Sequence, residues 1–358
     1  MSFLFNEDHV LLRDSAKGWL GEWFNHGQKL ASFEDTKGLA AREDWQSFAI
    51  DQGFAAISVD ERFGGAGLGR LGAVTILEET GSVLFRSPFA TSACLSVELL
   101  NAFDSDLAHQ TLSDIAQGVV VGFIDGRHAC TVTKNTLSGS VARVADIEIA
   151  QSLLVSVRDS DAVALYVISA DDERVMMAEE PRIDITRRYY TLTFNELELS
   201  GAKCIGRISE IVFDRQWWFG QALLSAEAIG GAQRCLDLTL AYADQREQFG
   251  RKIGSFQAYK HKCADLFIDL ETARSACYMA AAAEDEEEAY GAALIAVAQT
   301  RETYYRVAAE SIQLHGGIGF TWDYPLHYYF KRARADLNAT MSVDDIYLEL
   351  ANHIGGVS

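Results

Sequence analysis

The sequence predicts an α+β protein of several domains, with an N-terminal helical domain, a middle antiparallel β-barrel or sandwich, and a C-terminal helical bundle. Prolines number only three, and long alanine-, leucine- and glutamate-rich stretches lie in the first and last parts of the chain, which favours long helices there. β-Branched residues in alternation are concentrated in the middle. With 358 residues, the chain is long enough for two or three domains, each with its own core.

Residues 1–118 form the predicted helical domain, because apolar residues recur there at helical spacing. Gly67 to Gly72 fit G-x-G-x-x-G, the glycine pattern of dinucleotide-binding folds. That pattern requires a preceding strand, a parallel sheet and an acidic residue about 20 positions further on. The flanking segments here are helical, and position 92 is a serine. We interpret the glycines as a turn between helices, which argues against a nicotinamide-dependent dehydrogenase.

Residues 119–207 form the predicted β domain. Strands are predicted from Val119 onward and over 152–157, 162–168 and 190–194. No segment of helix length separates these strands, so a parallel β-α-β sheet is not expected. The pattern favours an antiparallel barrel or sandwich.

Residues 208–358 form the predicted C-terminal helical domain. Long amphipathic stretches cover 219–242, 256–283 and 291–315, the pattern of a helical bundle. The acidic run 284–288 lies between two of these stretches and is interpreted as a solvated loop or a helix end.

Composition argues against several classes of partner. The formal charge of −20 disfavours nucleic-acid binding, since the sequence has no segregated basic face. No apolar run approaches the ~20 residues that span a bilayer, and the opening residues lack the pattern of a signal peptide. We therefore expect a cytoplasmic protein without membrane contact. The six cysteines and eight histidines have no metal-ligand spacing, so no metal site is expected.

Two segments of the C-terminal region carry side chains suited to a nucleotide. The first opens with Arg246, whose planar guanidinium suits a phosphate, and closes with Gln257. The second contains Gln313 and then Gly316 and Gly317, where the absence of Cβ atoms lets backbone N–H groups approach an anion. Taken singly, the segments also fit a capped helix, a glycine turn and the start of a further helix.

In this order and spacing, the two segments closely resemble the acyl-CoA dehydrogenase family. The resemblance covers the whole chain and is strongest over residues 223–334. Shorter family-like stretches in the first two domains are 63–67, 78–81, 136–139 and 184–187. The resemblance implies the fold of that family, with a C-terminal four-helix bundle, and commonly a tetramer built as a dimer of dimers.

The resemblance also implies a reaction and a cofactor. Family enzymes remove two hydrogens from an acyl-CoA thioester: a carboxylate takes the α-proton, and the β-hydride passes to FAD, with electron-transfer flavoprotein as the oxidant. FAD lies across a subunit interface, and the neighbouring subunit holds its adenine-diphosphate half. The residues that match the family's positions for this half are Arg246, Phe249, Gln257, Gln313, Gly316 and Gly317. We call these six residues the clamp.

The sequence departs from the family at the catalytic base. One family position lies sixteen residues after the tyrosine that matches Tyr324, and here it is Thr340. A threonine hydroxyl is not a base near neutral pH without an activating partner. The other position lies ten residues before the glycine that matches Gly230, and here it is Gly220, which has no side chain. The candidates for a relocated base, otherwise ordinary helix carboxylates, are Asp344, Asp345 and Glu227.

The segments that match the family's flavin-ring contacts depart as well. Where many members carry a threonine-glutamate-proline loop over the ring, this chain has residues 122–127. Where a tryptophan-isoleucine-threonine strand usually backs the ring, it has residues 141–146. The residues for the nucleotide half are therefore present, while those for the ring and the proton are missing.

Three functions are open on this evidence. The first is a subunit that clamps FAD in a heteromer whose partner carries the base, similar to the base-lacking subunits of heteromeric steroid side-chain acyl-CoA dehydrogenases. The second is a self-sufficient homo-oligomeric acyl-CoA dehydrogenase with a relocated carboxylate. The third is a non-enzymatic relative that acts as a binding module. The first function is favoured because the residues for the nucleotide half are kept while those for the flavin ring and the base are lost.

Overall fold

The computed structural model describes residues 5–25, 39–199, 203–337, 339 and 341–355. Its α-helices are α1 Glu7–Asn25, α2 Leu39–Trp45, α3 Gly69–Ser82, α4 Val97–Leu100, α5 Asp106–Ala116, α6 Glu210–Gln245, α7 Gln257–Ala282, α8 Glu286–His315, α9 Leu326–Asp336 and α10 Val343–Gly355. Its strands are β1 Val121–Asp125, β2 Cys130–Thr133, β3 Thr136–Ala145, β4 Ser152–Asp159, β5 Ala162–Ser169, β6 Val175–Glu180, β7 Tyr189–Glu198, β8 Cys204–Ser209, β9 Glu247–Gln248 and β10 Arg251–Lys252.

The described residues fall into two compact units. The first unit takes its residues from Met1–Glu34, Val74–Phe85 and Ala222–Ser358. The second unit takes its residues from Asp35–Ala73 and Arg86–Gln221. Helix α6 contributes its first third to the second unit and the rest to the first. The three domains predicted from the sequence, with boundaries near 118 and 207, stay a prediction.

The glycine pattern at 67–72 lies at the start of a helix. Gly67 and Gly69 have φ angles of +68° and +58°, which only glycine adopts without strain, and α3 begins at Gly69. The strand that begins at Val121 is the first in the described part of the chain. The interpretation as a turn is therefore confirmed, because a dinucleotide fingerprint needs a strand immediately before it.

The β region of the second unit is a sandwich of two four-stranded sheets. Their strand orders are β1-β4-β5-β8 and β2-β3-β7-β6, and apolar side chains from both sheets share one core. Five of the six strand pairings in these sheets are antiparallel, as predicted, but β1 and β4 run parallel. The chain leaves β1, forms β2 and β3 in the other sheet and returns to β4 in the same direction, which makes this pair parallel without an intervening helix.

The first unit is a helical bundle in which α3 and α6 cross at close range. A Cβ at Gly81 on α3 would lie 2.0 Å from the carbonyl oxygen of Glu227 on α6. A Cβ at Gly230 on α6 would lie 1.8 Å from the carbonyl oxygen of Glu78 on α3. Only glycine at both places lets the two backbones touch, so this pair fixes where α3 crosses α6.

Most predicted elements match observed ones. The three predicted long helices correspond to α6, α7 and α8, and three predicted strands correspond to β4, β5 and β7. Within the acidic run, Asp285 caps α8 by accepting from the N–H groups of Glu287 and Glu288, so this run is a helix end as expected. Among the described residues, no helix is both long enough and apolar enough to cross a membrane.

Candidate functional site

Three helices of the first unit meet at one end of the bundle. Tyr242 near the end of α6 stacks on His315 at the end of α8, with ring centroids 4.5 Å apart and planes 20° apart. The Tyr259 hydroxyl near the start of α7 donates to the Thr239 carbonyl on α6 at 3.4 Å. The Ser311 hydroxyl on α8 donates to a carbonyl of α6 at 3.3 Å. These contacts bring the segments that carry the clamp to the same end of the bundle.

Arg246 lies at the root of a short hairpin at this end. Its N–H donates to the Tyr242 carbonyl at 2.9 Å, and its carbonyl accepts from the N–H of Ile253 at 2.8 Å, which closes the hairpin of β9 and β10. Lys252 on the same hairpin forms an ion pair with Asp244 at 2.8 Å. The backbone of Arg246 is thus fixed while its side chain is exposed to solvent.

Phe249 is at the tip of this hairpin and is 92% exposed. Its φ angle of +52° is uncommon for a residue with a bulky side chain. Its ring contacts the edge of Phe256 at 6.2 Å between centroids, and the Arg251 guanidinium covers Phe256 at 3.9 Å. An aromatic side chain held out on a left-handed turn is typical of a contact surface, since exposing it to water has a free-energy cost.

The glycine pair after α8 forms an open cradle. Gly316 has a φ angle of +65°, and a Cβ at either Gly316 or Gly317 would meet no atom within 4 Å. The Gly316 N–H donates to the Gln313 carbonyl as a helix cap, so it is already used within the chain. The role of the two glycines in binding an anion stays a prediction.

The donors of the clamp fit the adenine-diphosphate half of FAD. One guanidinium, two exposed carboxamides at Gln257 and Gln313, and a glycine turn without Cβ atoms offer charge, hydrogen bonds and space to a dinucleotide. All six clamp residues are exposed on the surface of the first unit. Which atoms of the cofactor they contact stays a prediction.

The glycine at the expected base position is not an empty place. Gly220 is buried on α6 in the second unit, and a Cβ there would lie 2.3 Å from Cδ1 of Leu95. Leu95 is only 5% exposed and belongs to a short buried helix at 89–96. Its side chain therefore fills the space in which a side chain at position 220 would begin. The other expected base position, Thr340, lies outside the described residues.

We predict that Gly220→Ala destabilises the protein by about 1–3 kcal/mol, the usual cost of overpacking a core. Leu95→Ala in the same chain should remove part of that cost, because the new methyl then occupies the vacated space. Thermal unfolding of the two single variants and the double variant measures this coupling. Strictly additive effects of the two substitutions would contradict the contact.

The carboxylate candidates lie in ordinary helical positions. Asp345 accepts from the Ser342 hydroxyl at 2.6 Å and donates its N–H back to that hydroxyl at 3.2 Å, a capping pair at the start of α10. Asp344 is exposed in the same helical turn. Glu227 is half-buried on α6, where its carbonyl faces Gly81. The role of a relocated base stays a prediction for all three.

We predict that Asp344→Asn leaves the turnover of the assembled enzyme unchanged within about twofold. An exposed carboxylate in a helical first turn contributes a dipole interaction of only about 0.3–1 kcal/mol to stability. Steady-state rates at several acyl-CoA concentrations test this expectation. A fall of a hundredfold or more in kcat would instead identify Asp344 as the base.

The segment 122–127, which comprises the end of β1 and the turn after it, is held by its own ion pairs. Arg127 binds Asp125 at 2.8 Å and also pairs with Asp214 on α6, and its guanidinium covers the Phe213 ring at 4.4 Å. Burial opposes the charge of Asp125, but the hydrogen bond and charge of Arg127 outweigh it and lower the pKa of Asp125. Burial dominates at Asp214, whose pKa is raised. No local pattern in the sequence indicates this three-residue network.

The stretch that replaces the ring-backing strand is irregular. The pairing of β3 with β7 shifts between Val141 and Val144, and Arg143 and Asp146 have φ angles of +59° and +56°. A bulge of this kind turns side chains away from the regular alternation of a strand. Asp146 is buried and pairs with Arg187 at 3.1 Å. Neither stretch retains the side chains that the family uses at the ring.

A half-buried carboxylate of the first unit is bound by neighbouring side chains. Glu78 on α3 accepts from Arg274 at 3.0 Å and from the Tyr278 hydroxyl, and Arg13 of α1 donates to that same hydroxyl at 3.1 Å. Burial, followed by the charge of Glu78, raises the pKa of Tyr278. These contacts tie α1, α3 and α7 together, so Glu78 has a structural role that its position in the sequence did not reveal.

Comparison with known proteins decides the family. Residues 6–118 match the family described as acyl-CoA dehydrogenase, N-terminal domain, and residues 218–338 match acyl-CoA dehydrogenase, C-terminal domain. The acyl-CoA dehydrogenase IpdE2 of Mycobacterium tuberculosis is 32% identical over 292 residues, which cover 81% of this chain and 80% of that protein. This chain belongs to the acyl-CoA dehydrogenase family.

Other relatives and solved structures agree with this family. Acyl-CoA dehydrogenase FadE27 of Mycobacterium tuberculosis is 30% identical over 300 residues, covering 76% of this chain and 77% of that protein. The ChsE4-ChsE5 complex from Mycobacterium tuberculosis shares the fold with a TM-score of 0.88 at 23% identity, covering 100% of both chains. The Tcur3481-Tcur3483 steroid ACAD G363A variant shares it with a TM-score of 0.86 at 24% identity, covering 98% of this chain and 99% of that one.

Several predictions from the sequence are confirmed at the level of the acyl-CoA dehydrogenase family. They are the fold, the class of oxidoreductase acting on an acyl-CoA, and FAD as the cofactor. The residues that sequence reasoning missed are Arg127 with its two carboxylates, Leu95 opposite Gly220, and the aromatic residues around His315. Each of these depends on contacts between segments far apart in the sequence, so no local pattern reveals it.

Proposed function

We propose that this chain is the FAD-clamping subunit of a heteromeric acyl-CoA dehydrogenase. A second family subunit holds the flavin ring and supplies the catalytic base, while this chain binds the adenine-diphosphate half through the clamp. FAD, when bound, supplies the acceptor for the hydride from the β-carbon of the acyl-CoA. The substrate class that we propose is a steroid-derived acyl-CoA, and the proposed oxidant is electron-transfer flavoprotein.

One observation carries this proposal: the clamp is complete and exposed, while the base position is filled. The side chain of Leu95 lies where a side chain at Gly220 would begin, so a base at that position would require Leu95 to move. The end of the segment 122–127 is fixed by the ion pairs of Arg127 with Asp125 and Asp214. Random loss of site residues from an enzyme would not keep the residues for one half of the cofactor and remove those for the other half.

Two further observations support the proposal. Two solved structures with the same fold have names that combine two gene products, ChsE4-ChsE5 and Tcur3481-Tcur3483, and the second name includes the words steroid ACAD. The exposed hairpin tip at Phe249 provides an apolar contact for a neighbouring chain. Both agree with a subunit that completes its site with a partner.

The test is to purify the chain alone and co-expressed with a second acyl-CoA dehydrogenase-family subunit from the same genome. We expect the lone chain to carry little flavin and to be inactive, and the co-expressed pair to carry one FAD per two chains and to oxidise an acyl-CoA. Native mass and flavin absorbance measure both. One FAD per lone chain with turnover would contradict the proposal, and no flavin in either sample would favour a non-enzymatic relative.

A further inference from the structure

A buried histidine lies directly beside the glycine cradle of the clamp. His315 is the last residue of α8, is 4% exposed and immediately precedes Gly316. Its Nδ1 is 2.7 Å from the Ser311 carbonyl oxygen, and its Nε2 is 3.0 Å from the Tyr324 hydroxyl. A carbonyl only accepts, so Nδ1 carries the proton. The Leu238 carbonyl of α6 is a second backbone hydrogen-bond partner of the ring, and burial lowers the pKa of His315, which favours the neutral imidazole.

The ring of His315 connects three segments of the first unit. It stacks on Tyr242 of α6 at 4.5 Å and lies against Tyr324, in the segment before α9, at 4.7 Å between centroids. Tyr242 in turn lies edge-on to Tyr324 at 6.3 Å. Three aromatic rings therefore join the ends of α6 and α8 to the segment that follows the glycine cradle.

Both halves of the clamp are attached to this aromatic cluster through the backbone. Arg246 follows Tyr242 by one helical turn and donates its N–H to the Tyr242 carbonyl at 2.9 Å. On the other side, a Cβ at Gly319 would lie 3.1 Å from Cβ of His315, so the turn after Gly316 folds back onto the histidine. A shift of the ring would move the arginine and the glycine cradle relative to each other.

We propose that His315 is a positioning residue of the FAD clamp. Its neutral imidazole, held by Ser311 and Tyr324 and stacked on Tyr242, fixes the distance between Arg246 and the glycine cradle. Dinucleotide binding is sensitive to such a distance, because hydrogen bonds weaken steeply once donor and acceptor are misplaced. This inference rests on the proposed function of the clamp, and it assigns His315 and Tyr324 roles that do not require contact with the cofactor.

The test compares four variants in the co-expressed protein. Tyr324→Phe removes only the hydroxyl, His315→Leu removes both ring nitrogens, and His315→Gln keeps an acceptor near the position of Nε2. Tyr290→Phe is the matched control. The Tyr290 hydroxyl donates to Glu349 at 2.9 Å, and its ring lies against the ring of His353, as Tyr324 lies against His315. Tyr290 is about 37 Å from His315 along the axis of α8. The dissociation constant of FAD is measured by flavin absorbance titration of the cofactor-free protein, and unfolding temperature is measured without FAD.

We expect Tyr324→Phe to weaken FAD binding about tenfold, or about 1.4 kcal/mol, with an unfolding temperature within two or three degrees of the parent. His315→Leu should weaken binding further, and His315→Gln should restore part of the loss. Tyr290→Phe should leave FAD binding unchanged. This pattern of rescue is expected only if the hydrogen bond between His315 and Tyr324 sets the geometry of the clamp.

Two results would overturn the positioning role. Unchanged FAD binding in Tyr324→Phe and His315→Leu, together with weakened binding in Arg246→Ala, would reject His315 while leaving the proposed clamp intact. If FAD binding weakens in every variant, Tyr290→Phe included, in proportion to the fall in unfolding temperature, the cause is a general loss of stability. If Arg246→Ala itself binds FAD normally, the clamp is wrong and the inference fails with it.

Discussion

Arg246→Ala is expected to weaken FAD binding to the assembled enzyme about 10- to 150-fold. The guanidinium is the one charged donor of the clamp, and hydrogen bonds to a charged partner contribute about 1.5–3 kcal/mol each. The backbone of Arg246 is fixed by Tyr242 and Ile253, so removing the side chain should leave the hairpin folded. Equilibrium titration with FAD measures the loss, and the spectrum of the purified protein reports how much flavin is retained.

Two variants serve as controls for this prediction. Arg246→Lys keeps the charge but loses the planar pair of donors, so it should bind FAD more weakly than the parent and more tightly than Arg246→Ala. Arg306→Ala removes a half-exposed arginine of α8 that pairs with Asp269 at 2.7 Å, and FAD binding should not change. Equal losses in Arg246→Ala and Arg306→Ala would indicate an effect of net charge rather than a clamp.

Gly230→Ala is expected to destabilise the first unit by about 3 kcal/mol or more, at the upper end of overpacking effects. The added methyl would lie 1.8 Å from a carbonyl oxygen of α3, and a backbone atom cannot rotate out of the way as a side chain can. Helices α3 and α6 must separate along their whole contact. Gly81→Ala should act in the same way from the other helix, where the contact is 2.0 Å. For a unit of this size the unfolding temperature should fall by about 6–12 °C.

The matched control is Gly18→Ala in α1. That glycine is also within a helix, but a Cβ there would meet no atom within 4 Å. Alanine is about 0.5–1 kcal/mol better than glycine in a helix interior, so Gly18→Ala should raise the unfolding temperature slightly. A rise in unfolding temperature for Gly18→Ala and a fall for Gly230→Ala would show that the loss at Gly230 comes from the helix crossing and not from helix propensity. A stabilised Gly230→Ala protein would contradict the crossing.

These predictions concern different parts of one proposal. The glycine crossing of α3 and α6 stabilises the bundle, the bundle brings the ends of α6, α7 and α8 together, and those ends carry the clamp. Arg246→Ala should therefore weaken FAD binding and leave the unfolding temperature unchanged. Gly230→Ala should weaken FAD binding and also lower the unfolding temperature. Measuring flavin binding and unfolding on the same samples distinguishes the two.

Long periodic segments were predictable because their apolar faces repeat regularly. Helices α6, α7 and α8 and strands β4, β5 and β7 all have such faces. Short or exposed strands were missed because they have no regularly repeating apolar face. Strand β6 has the sequence VMMAEE and is largely exposed, and β2 has only four residues. The parallel pairing of β1 with β4 was also missed, since strand direction depends on the path of the chain between two sheets.

Most of the candidate clamp was predictable, because its residues lie in two compact motifs with chemically distinctive side chains. The structure adds what those motifs lack. In the sequence, His315 is only a residue beside two glycines. In the structure, the rings of Tyr242 and Tyr324 pack around it. Gly220 reads as a missing base until Leu95 is found in its place, 125 positions earlier in the chain.

The sequence by itself determined the family and the order of helical and β regions, and it predicts a nucleotide clamp without a base at the expected positions. Periodicity and short motifs are local, so they can be read along the chain. Only the tertiary structure decided that Leu95 fills the space at Gly220, that Arg127 pairs with Asp125 and Asp214, and that His315 lies between Tyr242 and Tyr324. Each of these is a contact between distant residues, and the strength of such contacts depends on distances that only the folded chain defines.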